Sequence, residues 1–268
     1  MNQIELDQAQ EFAVEVAREA GLIMRKYAEI DQEVEHKSDN SPVTIADKTI
    51  NTLLIEHVKI TFPEHGVLGE EESYKSDRIK LWVCDPIDST ASFVLHVPVS
   101  MFSVAFVVDG VVLVAVTYNP WTDELFAASR GKGATKNGKS IHVSDRKWDE
   151  RAIIVTTSGS QHKPYPTDTP ENVLKIRSAG NKLYHVAGAV FKGMLIAQGF
   201  ADALVFPYSS AHDMVASKLI VEEAGGKVTD LHGAEQRYDQ PIGGAIVANS
   251  YIHPHIVELV KDNAHSRD

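Results

Sequence analysis

Residues Asp85 to Thr90 read Asp-Pro-Ile-Asp-Ser-Thr, two carboxylates followed by two hydroxyls. They follow Leu81, Trp82, Val83 and Cys84, an apolar run long enough for a buried strand. Pro86 has no amide hydrogen and cannot continue a central strand, so the strand is expected to stop at Asp85-Pro86. Asp85 and Asp88 would then share one turn at a strand end. Hard cations such as magnesium take that kind of all-oxygen environment. The same residues also read as a loop in which Asp88 or Ser89 caps a following helix, and on this stretch alone the two readings weigh equally.

Other acids could join them. Asp47 stands three residues after Thr44, where a capping box places an acid, and capping is its simpler explanation. Glu70, Glu71 and Glu72 follow a short apolar stretch, Gly66 to Leu68. Consecutive acids usually form a solvated face. Two strands that end in Glu70 and Asp85 could also lie side by side, and a cation would relieve the repulsion of their carboxylates. Asp213 begins a helix after the loop Pro207 to His212, with an N-cap as its alternative role.

The elements that must position these acids follow from hydrophobic spacing. Apolar residues from Ala9 to Tyr27 recur at helical intervals, which predicts an amphipathic helix over 8–29. A polar loop is expected over 34–42. A second helix, capped by Thr44, carries Ala46, Ile50, Leu53, Leu54 and Val58 inward and closes at Pro63. Phe102 to Val108 and Val111 to Tyr118 flank Asp109-Gly110, a preferred two-residue hairpin turn. Leu125 to Ala128 and Ile141 to Val143, the latter after Asn137-Gly138, are expected to add antiparallel strands.

Beyond a charged seam at 144–151 the pattern alternates. Strands are expected over 153–156, 201–206, 227–231 and 244–248, with helices over 188–198, 213–224 and 254–262 and a polar loop over 158–172. Two domains follow: an antiparallel α+β unit at 1–147 holding most of the acids, and an α/β unit at 148–268 contributing Asp213.

The 268 residues suffice for a large core, and the net charge of −11 without a basic tract argues against a nucleic-acid polymer as partner. The single cysteine, Cys84, cannot form an internal disulfide, and no signal-peptide pattern or bilayer-length apolar run is present. A cytoplasmic protein without membrane association is the expectation.

The sequence resembles the inositol monophosphatase superfamily. The match runs in order over most of residues 8–250: Ser41-Pro42-Val43-Thr44 with Asp47, Gly69-Glu70-Glu71, the Asp85–Thr90 hexapeptide, Tyr118-Asn119-Pro120, Glu124-Leu125-Phe126, Gly131 to Gly138, and His212-Asp213 with Glu223-Ala224-Gly225-Gly226. That resemblance implies a five-layer αβαβα sandwich and lithium-sensitive, magnesium-dependent hydrolysis of a small phosphate monoester by metal-activated water.

It further implies two to three magnesium ions per site, held by Glu70, Asp85, the carbonyl of Ile87, Asp88 and Asp213. Glu70, Thr90 and Asp47 would activate and orient the water. Asp88, Ser89, Thr90, Gly188, Ala189, Phe206 and His212 would contact phosphate or substrate. A homodimer and a small phosphorylated metabolite are the implied partners. The ester stays open among inositol phosphate, histidinol phosphate, a nucleotide 3′-phosphate and a sugar phosphate. The alternative is a catalytically silent member that binds a phosphorylated metabolite or a protein.

Three positions depart from the family pattern. Ser89 stands where glycine is usual, which costs stability if the backbone there needs positive φ. His212 stands where many members have tryptophan. Phe206 falls where inositol-specific members have a glutamate, and this makes inositol phosphate the less favoured ester.

Overall fold

The computed structural model describes residues 3–30, 35–36, 42–148, 151–156, 170–208 and 210–262. The loops expected at 34–42 and 158–172 lie mostly outside the described residues. At the first, only Glu35–His36 (β1) and Pro42–Val43 (β2) are described, as an antiparallel pair.

The outermost layer is α1 (Gln3–Ala28) and α2 (Ile45–Thr61). Thr44 caps α2 in extended backbone, and the reciprocal capping box with Asp47 is formed. Both helices turn their apolar stripe to one face of a seven-stranded sheet. Its strands are β3 (Gly66–Gly69) and β4 (Lys80–Asp88), then, after the short α3 (Thr90–Val94), β5 (Met101–Val108), β6 (Val111–Asn119), β7 (Glu124–Ser129), β8 (Ala134–Lys136) and β9 (Lys139–Ser140), in that spatial order. β3 runs parallel to β4, and the rest is antiparallel. β5 is apolar on both faces because both faces are covered.

Two local readings change. β4 does not stop at Asp85-Pro86 but runs on to Asp88 through a one-residue bulge, since Asp85 pairs with Ser103 and Asp88 with Met101. A bulge leaves a residue out of the ladder, so the missing proline amide is tolerated there. Ile141 to Val143 is not a strand. The turn at Asn137 and Gly138, both at positive φ, returns the chain as β9, and the ladder then ends. Val143 instead donates its amide to Ala224 O.

The second half supplies β10 (Ile153–Thr156), α4 (Pro170–Ser178), β11 (Lys182–His185), α5 (Ala189–Ala197), β12 (Ala203–Phe206), α6 (Ala211–Glu223), β13 (Gly226–Thr229), β14 (Ala245–Asn249) and α7 (His253–Asp262). α4 and β11 escaped the sequence reading. The five strands form a mixed sheet in the order β11-β10-β12-β14-β13. α5 and α6 lie between the two sheets, and α4 and α7 pack on the outer side of the second. The result is the five-layer αβαβα sandwich. One core, including Val83, Met101, Leu204, Met214 and Val247, joins both sheets through α5 and α6.

Candidate functional site

The site forms where β3 and β4 end. Gly69 is in register with Cys84, so the next residues, Glu70 and Asp85, emerge side by side, and Glu70 N donates to Cys84 O at 3.1 Å. The two acid-terminated strands are therefore neighbours. The bulge in β4 re-aims the chain so that Asp88 also faces inward. Asp213 arrives from the opposite layer, in the first turn of α6. Ser210 is the N-cap residue, so Asp213 does not hold that place.

Carboxylate oxygens of Asp85, Asp88 and Asp213 all lie within 4.8 Å of one another. Glu70, Asp85, Ile87, Ser89, Thr90, Ala91 and Asp213 line a cavity of about 230 Å³. Burial, then the charges of Glu70, Asp88 and Asp213, hold the Asp85 carboxyl well above the usual range. Burial, then Asp88 and Glu70, do the same to Asp213. Asp88 is pushed up to about 6 by burial, offset by three backbone amides and by the charge of Lys192.

These shifts mark a place where negative charge is concentrated without enough positive charge. Asp85 Oδ1 is buried and has no hydrogen-bond partner among the described residues. The hydroxyls of Ser103 and Thr117, aligned behind it in cross-strand register, are likewise buried and unpartnered among the described residues. An orphaned carboxylate oxygen beside two other carboxylates fits an oxygen-ligated divalent cation.

Asp88 is gripped from across the molecule. Its Oδ1 accepts from Ala189 N at 2.9 Å, and its Oδ2 from Val190 N at 3.0 Å and Phe191 N at 3.4 Å. The α5 N-terminus thus offers its free amides and dipole to this acid. Gly188, at φ 79°, lets the backbone approach; a Cβ there would lie 2.9 Å from Asp88 Oδ2. Gly188 and Ala189, which the resemblance implies as substrate contacts, lie here against Asp88.

Asp47 serves two partners. Its Oδ2 accepts from Thr44 N and Oγ1, at 2.8 and 2.6 Å, while its Oδ1 accepts from Thr90 Oγ1 at 3.2 Å. Burial pushes its carboxyl up to about 6. Ser89 sits at φ 66°, the left-handed region that the departure from glycine raised as a concern. Such backbone costs about 1–2 kcal/mol for an L-residue. Its hydroxyl donates to Ser92 Oγ at 2.8 Å and makes no helix cap.

His212 lies at the rim, with Nε2 3.8 Å from Asp213 Oδ2 and 4.0 Å from Glu70 Oε2. Phe206 is elsewhere: 3% exposed, at the end of β12 in the shared core, edge-on to the Tyr208 ring. It does not line the cavity, so the expected substrate contact has no support in this geometry. Sequence reasoning missed Lys192, which is 1% exposed in α5. Its signal was a lone charge in an otherwise uncharged, largely apolar helix, Ala-Val-Phe-Lys-Gly-Met-Leu-Ile-Ala.

The family model for the inositol monophosphatase family matches residues 5–265. The chain belongs to the inositol monophosphatase family. It is 32% identical over 263 residues to an inositol monophosphatase of Mesembryanthemum crystallinum, covering 93% of this chain and 94% of that one. It is 31% identical over 259 residues to a histidinol-phosphatase of Chlorobaculum parvum, covering 96% and 98%. Among solved structures, an IMPase of Thermotoga maritima matches with a TM-score of 0.85 at 26% identity, over 97% of this chain and 99% of that one. The match to the inositol monophosphatase family spans both sheets and all the acids of the cavity.

Proposed function

We propose that this protein is a magnesium-dependent phosphatase that hydrolyses the phosphate monoester of a small metabolite. The observation that carries the reading is the converging set Asp85, Asp88 and Asp213, with Asp85 Oδ1 left without a partner among the described residues. With Glu70 and the Ile87 carbonyl, these acids would hold two to three magnesium ions. Bound magnesium supplies neutralisation of the anionic ester and acidification of water.

The chain's own groups do the rest. Thr90 Oγ1 lies 3.2 Å from both Asp47 Oδ1 and Ile87 O, and with its proton directed to Asp47 its lone pairs are left for a water proton in the cavity. Glu70, beside Asp85, would take the proton that this water loses. The loop amides of Ser89 and Thr90 are the donors for phosphate oxygens. Asp88, held by the α5 amides, cannot swing away from the cavity without breaking three hydrogen bonds. No residue is required as a covalent phosphate acceptor.

The relatives, one named for inositol phosphate and one for histidinol phosphate, and a cavity of about 230 Å³ support a small phosphorylated metabolite as substrate. Phosphate release from a panel of these two esters, a nucleotide 3′-phosphate and a sugar phosphate, with magnesium or with chelator, tests the reading. Magnesium-dependent release from at least one ester is expected. Tight ester binding without any release would favour the silent binder.

A further inference from the structure

Glu70 reaches the cavity from a turn that carries three consecutive acids, Glu70, Glu71 and Glu72. Like charges this close repel one another, so the turn needs ties if Glu70 is to keep one place. Its base is closed by Val67 and Tyr74, which exchange backbone hydrogen bonds of 2.6 and 2.9 Å. Its far side is held from α2. Asn51, 1% exposed, donates from Nδ2 to Glu72 O at 2.9 Å. Asn51 Oδ1 packs so closely on Gly69 that a Cβ there would collide with it. One side-chain amide thus touches the residue before Glu70 and the carbonyl two residues after it.

Asn51 Oδ1 is buried and has no hydrogen-bond partner among the described residues. A leucine would fill a similar volume without leaving an acceptor unpaired, so what asparagine adds is its donor. Asn51 also stands four residues after Asp47, which puts both on one face of α2. Asp47 accepts from Thr90 Oγ1, and Asn51 donates to the Glu70 turn. We propose that Asn51 is a positioning residue for Glu70, and that one face of α2 thereby sets both Thr90 and Glu70 against the cavity. The inference rests on the reading of this cavity as a cation site with Glu70 among its ligands.

The test is calorimetric titration of the metal-free protein with manganese, beside denaturant midpoints in chelator, for wild type, Asn51→Leu and Asn51→Asp. Asn51→Leu should keep the wild-type midpoint and bind manganese about tenfold more weakly. Asn51→Asp adds negative charge, which alone would tighten cation binding, but it turns an acceptor towards Glu72 O. It should therefore also bind more weakly. Asn51→Leu decides where it folds: wild-type affinity, or weakening matched by a lowered midpoint, would overturn the inference and leave the cavity reading in place. Should it not fold, Asn51→Asp decides, with weaker binding in support and equal or tighter binding against. Failure of both to fold would make the role structural and overturn the inference. Wild type that binds no manganese would overturn the cavity reading and the inference with it.

Discussion

Thr90 Oγ1 donates to Asp47 Oδ1 at 3.2 Å, across 43 positions of sequence, while the other oxygen of Asp47 caps α2 through Thr44. One carboxylate therefore serves both a helix end and the cavity, and its two oxygens separate the roles. Thr44→Ala removes the hydroxyl half of the capping box, leaves Thr44 N on Asp47 Oδ2, and should cost about 1 kcal/mol of stability with little change in rate. Thr90→Ala should lower kcat by two or more decades and leave stability within about 1 kcal/mol. Denaturant midpoints and steady-state kinetics on both variants check this. A pure KM effect for Thr90→Ala contradicts the proposed orientation of water.

The Asp47 carboxyl titrates near 6 in the folded chain because it is buried, against an ordinary value of 3.8. A raised carboxyl contributes stability that is complete below its unfolded pKa and is lost as pH rises through the folded one. The loss spans about pH 4 to 6 and amounts to about 3 kcal/mol. His65 and His253, held down to about 4 by burial, act with the opposite sign in the same window. The informative quantity is therefore the difference between wild type and Asp47→Asn in chelator, where the histidines cancel. Wild type should lose about 2–3 kcal/mol relative to the variant between pH 4 and 7. A flat difference contradicts the shift.

Asp213→Asn separates fold from cation binding. Asp213 is pushed well above the usual carboxylate range by burial, Asp88 and Glu70, so removing its charge relieves repulsion. In chelator at pH 8 the variant should be more stable than wild type by at least about 1 kcal/mol. Wild type should gain stability with magnesium, about 2.7 kcal/mol at a hundredfold excess over Kd, and the variant little. Equal magnesium stabilisation of both proteins would remove Asp213 from the cation site.

Phe206 offers a negative control for specificity. Its ring is core, so Phe206→Ala should cost about 3–5 kcal/mol. The ratio of rates on inositol phosphate and on a second ester should stay constant. A changed ratio at unchanged stability would return the ring to the substrate pocket.

Much of this site is legible in the sequence because it is built from local signals. Two apolar strands that each end in an acid place Glu70 beside Asp85, and Thr44 with Asp47 spells out a capping box. Aspartate-glycine and asparagine-glycine turns set the hairpins. What escapes depends on distant packing. Pro86 reads as a strand end because nothing local signals a bulge. The grip of the α5 amides on Asp88 joins residues a hundred positions apart, and no spacing encodes it. Lys192 is a lone charge in an apolar helix, and its burial follows only once α5 is known to lie between two sheets. Counting back from Asp213 finds Phe206 but cannot say which way its strand presents it.

The most direct test of the account is phosphate release by wild-type protein from its best ester as magnesium is removed and restored. The account predicts that chelator abolishes turnover, that magnesium restores it, and that Asp213→Asn raises the magnesium needed or abolishes the response. Turnover that is indifferent to magnesium, or that is equal in wild type and Asp213→Asn at every magnesium concentration, would contradict it.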